Sequence, residues 1–335
     1  MHNCLIVGAE LSALRAARDL ASSGIHVTML MPSDTLGEYS ALFKPVYEAD
    51  LMKDLLGPLI AEVRSRPNVT LLPKSGVKSV TQQKSTFKVS VTSDSKTHEV
   101  ETSTIILSGG LNPFDASLVD EYKYGSLRGV VTTFDLERSF QAGDYLVQST
   151  MERVAFVLCV GSRHIRNNPD CSTFCCNYAI VQAIRVKEKF PDIQVFVYYM
   201  DIRAIARQEY QFNKARKLGV IFVRGRPAEV EQVGEKLTLH VEDTLTDNQH
   251  NFPYDLVVLS VGASCSPLVV DVARGLGVDL SDNNFVRVKE KPVIISVEGV
   301  FAAGSSGDGV KNIQQEYSEG GAASMAVIQF LRRSK

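Results

Sequence analysis

The chain has 335 residues, 44% of them hydrophobic and 22% charged, with a formal net charge of −2. That length exceeds one ordinary hydrophobic core and predicts two domains, each able to bury its own. The balanced charge gives no reason to bind nucleic acid or anionic lipid, and neither a basic leader nor an apolar run near ~20 residues is found, which predicts a cytoplasmic protein with no membrane span.

The apolar run Cys4 to Val7, a helical pattern on Leu11, Leu14, Ala17 and Leu20 ending near Gly24, and the run His26 to Met31 read as a βαβ unit. Its first turn is the place for a dinucleotide fingerprint, where glycines allow the bend, the approach of a pyrophosphate and the close packing of helix on strand. The three positions here are Gly8, Glu10 and Ala13. Glu10 sets a side chain where a doubly charged group would meet the helix N-terminus, and Met31 and Pro32 stand where an acidic residue would hold ribose hydroxyls. On these residues alone, a bare core unit and a nucleotide site are equally good readings.

Next come a strand from Asn68 to Leu72 and three alternating segments, Val77 to Val80, Phe87 to Val91 and Glu99 to Leu107, which predict a meander returning to the first sheet. A second βαβ unit opens at Arg153, with strand Val154 to Val160, a long loop, helix Thr173 to Lys189 and strand Gln194 to Tyr199. Helix Ala204 to Leu218, strand Val220 to Val223, a hairpin over Val230 to Val241 and strand Leu256 to Val261 complete the inner domain. The rest holds a glycine-rich segment from Gly299 to Gly304 and a closing helix from about Ile313 to Arg333. The predicted fold class is α/β: two Rossmann-like dinucleotide-binding domains, the second (151–261) inserted in the first (1–150 and 262–335).

Four of the six cysteines, Cys159, Cys171, Cys175 and Cys176, fall at a predicted strand end and the next helix start. Cys171 and Cys175 lie four apart, on one face of an incipient helix, with Cys176 about a hundred degrees away, so three thiols can surround a small cluster and Cys159 can close it. A helix N-terminus favours thiolates and an anionic cluster. Zinc competes for any four thiolates, although adjacent cysteines are unusual in zinc knuckles. Cys4 and Cys265 read as core or surface thiols. The six histidines form no metal or triad spacing with one another, and His164, in the loop between the cysteines, reads as a solvated side chain.

Several stretches carry a resemblance: Cys-Val-Gly-Ser-Arg at 159–163, Cys-Ser-x-x-Cys-Cys-x-Tyr-Ala-Ile at 171–180, Asp-Ile-Arg-Ala at 201–204 and Arg-Gly-Arg-Pro-Ala-Glu-Val at 224–230. Pro-Phe-Asp-Ala-Ser at 113–117 and Tyr-Lys-Tyr-Gly at 122–125 join them. Together they resemble the A subunit of heterodisulfide reductase over nearly the whole chain. The resemblance implies a thioredoxin-reductase-like core holding FAD and a [4Fe-4S] cluster on Cys159, Cys171, Cys175 and Cys176. It implies flavin contacts at Gly8, Glu10, Leu11, Ser12, Met31 and Gly109, and at Gly304, Asp308, Lys311, Ile313 and Gln314 around the C-terminal glycine turn, where free helix N–H groups suit an anionic reduced ring. Partners would be B- and C-type subunits that perform the thiol or disulfide chemistry, with a homodimer left open and no catalytic residue assigned to this chain.

The chain departs from the methanogen-type subunit. Val91 to Glu101 runs through with only a short turn where an insert would sit, and Leu51 to Leu55 holds no cysteine, so one cluster is expected. The lysine that follows the paired cysteines in electron-bifurcating members is replaced by Val181. That loss changes how a reduced flavin is stabilised and favours simple electron relay, as in the related short subunits of sulfur-oxidising bacteria. Two rivals remain. A pyridine-nucleotide-dependent disulfide reductase would need a redox cysteine pair and a glycine fingerprint after Val154, and a cluster-bearing scaffold without FAD would explain Glu10 and Met31.

Overall fold

The computed structural model describes residues 2–42, 49–204, 208–290 and 293–333. The chain opens with β1 (Asn3–Val7), α1 (Leu11–Ser22) and β2 (His26–Leu30). Leu11, Ala13, Leu14, Ala17 and Leu20 of α1 are buried; their three- and four-residue spacing makes the stripe that packs on the sheet. After α2 (Glu38–Leu42), α3 (Ala49–Ser65) and β3 (Val69–Leu72), the strands β4 (Gly76–Gln83), β5 (Thr86–Ser93) and β6 (Lys96–Thr102) form an antiparallel meander.

The predicted strand Glu99 to Leu107 is two strands. β6 stops at Thr102 and β7 (Thr104–Leu107) joins the parallel sheet beside β1. Between them the Ser103 amide and hydroxyl donate to Asn3 Oδ1 at 2.9 and 3.1 Å, pinning the crossing point. Both halves are extended, so alternation along the sequence cannot reveal the change of sheet.

β8 (Leu111–Pro113) follows, and the chain divides into two compact units, Met1–Asn112 with Ser264–Lys335, and Pro113–Ala263. The sequence pattern puts the passage to the inner unit at 151. It lies near 113 because β9 (Val130–Thr132) pairs with a strand of the second sheet. α4 (Thr133–Ala142) starts directly after β9 on a capping box: the Thr132 hydroxyl accepts from the Asp135 amide at 3.1 Å, and Asp135 accepts from the Thr132 amide at 2.8 Å.

The inner unit continues through β10 (Arg153–Val160), α5 (Cys175–Lys189), β11 (Gln194–Tyr199), α6 (Gln208–Lys217) and β12 (Ile221–Arg224). Ala204, predicted to begin α6, is not helical, and residues 205–207 lie outside the described residues. The predicted hairpin ends early: β13 (Val230–Val233) pairs with β14 (Lys236–Leu239), and Val241 starts β15 (Val241–Asp243), which pairs with β16 (Asn248–His250). β17 (Pro253–Tyr254) and β18 (Leu256–Val261) follow. The five-stranded parallel sheet runs β12-β11-β10-β18-β9. Its central strands are mostly apolar and are buried throughout β18 and from Val154 onward in β10, as covering on both faces requires. Glu137 of α4, itself buried, accepts from Arg185 of α5 at 2.8 Å and closes the helix layer with an ion pair.

The chain returns to the first unit with β19 (Ala263–Cys265), α7 (Pro267–Gly275), β20 (Val300–Ala302) and α8 (Ile313–Arg333), whose bounds match the predicted closing helix. The first parallel sheet runs β20-β7-β1-β2-β3, and buried residues of α1 and α8 share one core on its face. Among the described residues no helix is long and apolar enough to cross a membrane.

Candidate functional site

The turn from β10 to α5 gathers the four predicted thiols. The register of β10 against β18 slips between Val157 and Val160, and Cys159 inside that slip has φ 62°, a left-handed conformation that costs free energy for a residue with a Cβ. A bulge re-aims a side chain that strict alternation would send elsewhere. Gly161 follows with φ 72°, and a Cβ there would stand 2.1 Å from the Phe114 ring, so only glycine fits. The loop then folds back on itself, with Arg163 N donating to Asp170 O at 3.1 Å and His164 N to Asn168 O at 2.9 Å.

Cys171 does not share a helical face with Cys175, as the spacing predicts. α5 begins only at Cys175, because Thr173 has φ 63° and interrupts the turn. The Thr173 amide instead donates to Cys171 Sγ at 3.3 Å. Cys159, Cys175 and Cys176 are buried and Cys171 is half-buried. Contacts with Cys159 and Cys176 pull the Cys175 thiol well below its ordinary value, and Cys175 in turn pushes the other two up. The Ser260 hydroxyl donates to the Cys175 carbonyl at 3.0 Å and ties the start of α5 to β18.

Among the described residues only Glu229, Glu231 and His240 bring three ligand atoms within 4.8 Å of one another. They lie on the β13–β14 hairpin, where His240 Nε2 stands 2.9 Å from a Glu231 carboxylate oxygen. No three of the cysteine sulfurs lie mutually within 4.8 Å, although Cys175 is close to both Cys159 and Cys176.

In the first unit the remaining predicted residues fall into three groups. Gly8, Ser12, Gly109, Gly304 and Lys311 converge. Ser12 Oγ and Ser108 Oγ are 2.7 Å apart, Gly109 N donates to Ser306 Oγ at 2.9 Å, and a Cβ on Gly304 would stand 2.3 Å from Ser12 Oγ. Leu11, Met31 and Ile313 are buried in the core beside them. Asp308 is exposed and accepts from Val288 N at 3.1 Å, and Gln314 is exposed in the first turn of α8.

Glu10 is buried and turned away from α1. Its carboxylate accepts from Tyr39 N at 3.3 Å, Ser40 N at 2.6 Å and Ser40 Oγ at 2.7 Å, capping α2, while Ser40 Oγ accepts from Leu11 N at 3.0 Å. Gly110, with φ 71°, makes room for the glutamate stem: a Cβ there would lie 2.6 Å from Glu10 Cγ. Burial pushes the Glu10 carboxyl up to about 7, the bonds from Ser40 and Tyr39 oppose this, and the nearby Glu316 charge adds to it. The Ser12 and Ala13 amides of the first turn have no acceptor among the described residues.

The C-terminal glycine turn is less open than expected. Gly304 N donates to Glu319 at 3.0 Å, Ser305 N to Glu316 at 2.7 Å, and the Gln315 amide of α8 to Asn312 at 2.9 Å. Glu316 Oε2 is buried and has no hydrogen-bond partner among the described residues. The sequence reading missed Ser108, Glu316 and Glu319. Their signals were a serine directly before Gly109 and two glutamates three apart on the helix after the glycine turn.

No family model matches the chain. It is 36% identical over 241 residues to an A-type iron-sulfur subunit of the CoB–CoM heterodisulfide reductase of Methanopyrus kandleri, covering 67% of this chain and 37% of that protein. It is 37% identical over 250 residues to the A-type subunit of the H(2):CoB-CoM heterodisulfide,ferredoxin reductase of Methanothermobacter marburgensis, covering 70% of this chain and 38% of the relative. A 29% identity to the A-type subunit of the ferredoxin/F(420)H(2)-dependent CoB-CoM heterodisulfide reductase of Methanosarcina acetivorans covers 98% of this chain and 53% of the relative. The chain belongs to the family of heterodisulfide reductase A subunits.

The chain spans about half or less of the length of these relatives. The Methanosarcina alignment runs over 423 positions against the 335 residues here, so that relative carries inserted segments that this chain lacks. The fold of this family member is that of thioredoxin reductases. The T. acidophilum enzyme matches with a TM-score of 0.73 at 18% identity over 100% of both chains, and the Lactococcus lactis enzyme with 0.71 at 16% over 99% and 100%.

Proposed function

We propose that this chain is an FAD- and [4Fe-4S]-carrying electron-transfer subunit of a heterodisulfide-reductase-like complex. The observation that carries the reading is the gathering of Cys159, Cys171, Cys175 and Cys176 at one strand-to-helix turn of a thioredoxin-reductase-like fold. Adjacent cysteines such as Cys175 and Cys176 are unusual in zinc knuckles, which favours a multi-iron cluster over zinc here. Cys159 and the α5 start would hold it, with Thr173 N–H and the helix N-terminus favouring the thiolate forms.

FAD suits the first unit on two counts. The Ser12 and Ala13 amides offer donors for a pyrophosphate, and the orphaned Glu316 Oε2 is an acceptor for a ligand bearing hydroxyl groups. When bound, the flavin exchanges electron pairs and the cluster single electrons. The protein's own part is to hold both and to exclude water around three buried thiols. Val181, buried where bifurcating members carry lysine, favours plain relay, and a cytoplasmic role in sulfur metabolism with B- and C-type partner subunits fits it. The test is anaerobic purification with iron, sulfide and flavin analysis: about four irons and one FAD per chain are expected. Iron without flavin would support the scaffold reading, and zinc in place of iron would sink the proposal.

The chain is not expected to take electrons from NADH or NADPH. The inner unit's strand-to-helix turn, the place for a nicotinamide cofactor's pyrophosphate, is given over to Cys159, Cys175 and Cys176 and to the loop carrying Arg163, His164 and Arg166. Excess NADH should leave the flavin band unbleached while dithionite bleaches it. Bleaching by NADH at a turnover rate would revive the disulfide-reductase alternative.

A further inference from the structure

Two of the motifs, Cys-Val-Gly-Ser-Arg at 159–163 and Asp-Ile-Arg-Ala at 201–204, contribute residues beyond the thiols. The Arg163 guanidinium is ion-paired with one oxygen of Asp201, and Arg203 Nε donates to the other at 3.3 Å. Asp201 therefore sits between two cations. Its carbonyl accepts from Cys176 Sγ at 3.9 Å. Arg203 lies near Cys171, which with Asp201 holds its guanidinium above the ordinary value, and Arg163 lies near enough to Cys159 to oppose the rise of its thiol. Two guanidiniums and one carboxylate leave one net positive charge against the cysteines.

We propose that Arg163 and Arg203, positioned by Asp201, set the reduction potential of whatever redox centre the four cysteines hold, by stabilising its more negative, reduced state. This rests on the cluster reading above. No bond forms or breaks: one electron arrives from a redox partner, the centre becomes one charge more negative, and the guanidiniums answer that charge. Hydrogen bonds and cations at cluster sulfurs are an established way for a protein to move such potentials. Of the two, Arg163 has the larger effect, because its side chain is 24% exposed against 44% for Arg203, and solvent and salt screen the second more strongly.

The test is a redox titration of the anaerobic full-length chain, followed by electron paramagnetic resonance, with iron measured on each sample. Arg163→Gln should keep its iron and favour the oxidised state about tenfold more than the parent, a midpoint lower by ~59 mV for a one-electron couple. Arg203→Gln should shift the same way by less, and added salt should shrink its shift further. Asp201→Asn should shift upward, a reversal of sign that simple loosening of the loop would not produce. Unchanged midpoints in both glutamine variants at full iron content, or a downward shift in all three, would overturn the proposal. If Arg163→Gln fails to load iron, Arg163→Lys decides: it keeps the charge and must titrate with the parent, and a displaced midpoint there overturns the idea. A parent chain that binds no iron would instead refute the cluster reading itself, so the two failures are distinguishable.

Discussion

Replacing Cys175 with serine should abolish iron binding, whereas Cys4→Ser and Cys265→Ser should leave the iron content unchanged. Cys175 is the hub of the thiol group: it is hydrogen-bonded to both Cys159 and Cys176, and it carries the lowered thiol of the set. A serine hydroxyl is not deprotonated at neutral pH and is a poor iron ligand, so the substitution removes a ligand from the centre of the group. Cys4 and Cys265 belong to the first unit, are buried in strands, and are each pushed up to about 12 by burial, which keeps them neutral and unreactive. Iron is measured colorimetrically, with circular dichroism to verify that each variant is folded. An iron-free Cys265→Ser beside a fully loaded Cys175→Ser would refute the ligand assignment.

The second large effect concerns Glu10. Its carboxyl titrates near 7 in the fold against 4.5 for an ordinary glutamate, so the fold binds the proton more tightly than the unfolded chain does. The stability from this group is therefore fully present below about pH 4.5 and is lost as pH rises through 7, a difference of roughly 3 kcal/mol. Glu10→Gln is neutral throughout and can keep the Ser40 amide and hydroxyl on its carbonyl oxygen, giving up the longer 3.3 Å bond from Tyr39 N. Relative to the parent, this variant should gain roughly 3 kcal/mol in unfolding free energy between pH 4.5 and 8. Under the FAD reading, affinity for the dinucleotide should also fall as pH rises above 7 in the parent, because the Glu10 charge then lies one hydroxyl, Ser40 Oγ, away from the α1 N-terminus, and should stay flat in Glu10→Gln. Parallel pH profiles for the two proteins would show that Glu10 is already ionised in the fold and would remove both expectations. Glu10→Ala should be worse at every pH, since it strands the Tyr39 and Ser40 amides inside the protein at about 1–3 kcal/mol for each unsatisfied group.

The elements that the sequence announced are those whose signal is local. α1 and α8 carry apolar stripes at helical spacing, β10 and β18 are runs of buried aliphatics, and the four cysteines stand out by type and spacing. Residues 113–150 carried recognisable motifs but no predicted strand or helix, although Thr132-x-x-Asp135 is a capping box, because a three-residue strand and a ten-residue helix offer little periodicity beside it. The break at Ser103 was invisible for a related reason: the residue that makes it, Asn3, lies a hundred positions away.

Residue type alone determined that this chain can hold thiolate chemistry at a strand-to-helix turn, that its first turn lacks the second fingerprint glycine, and that Val181 cannot supply a cation. Tertiary structure decided where the side chains of those turns go. Glu10 could have faced the α1 amides, but Gly110 left space for its stem and Tyr39 and Ser40 offered donors. Cys171 could have joined α5, but left-handed Thr173 held it outside. The amides of the Gly304 turn could have stayed open, but Glu316 and Glu319 reach back from α8 to take them. In each case the outcome depends on a partner that packing brings close, and a buried polar group settles on whichever partner satisfies it, which spacing along the chain does not encode.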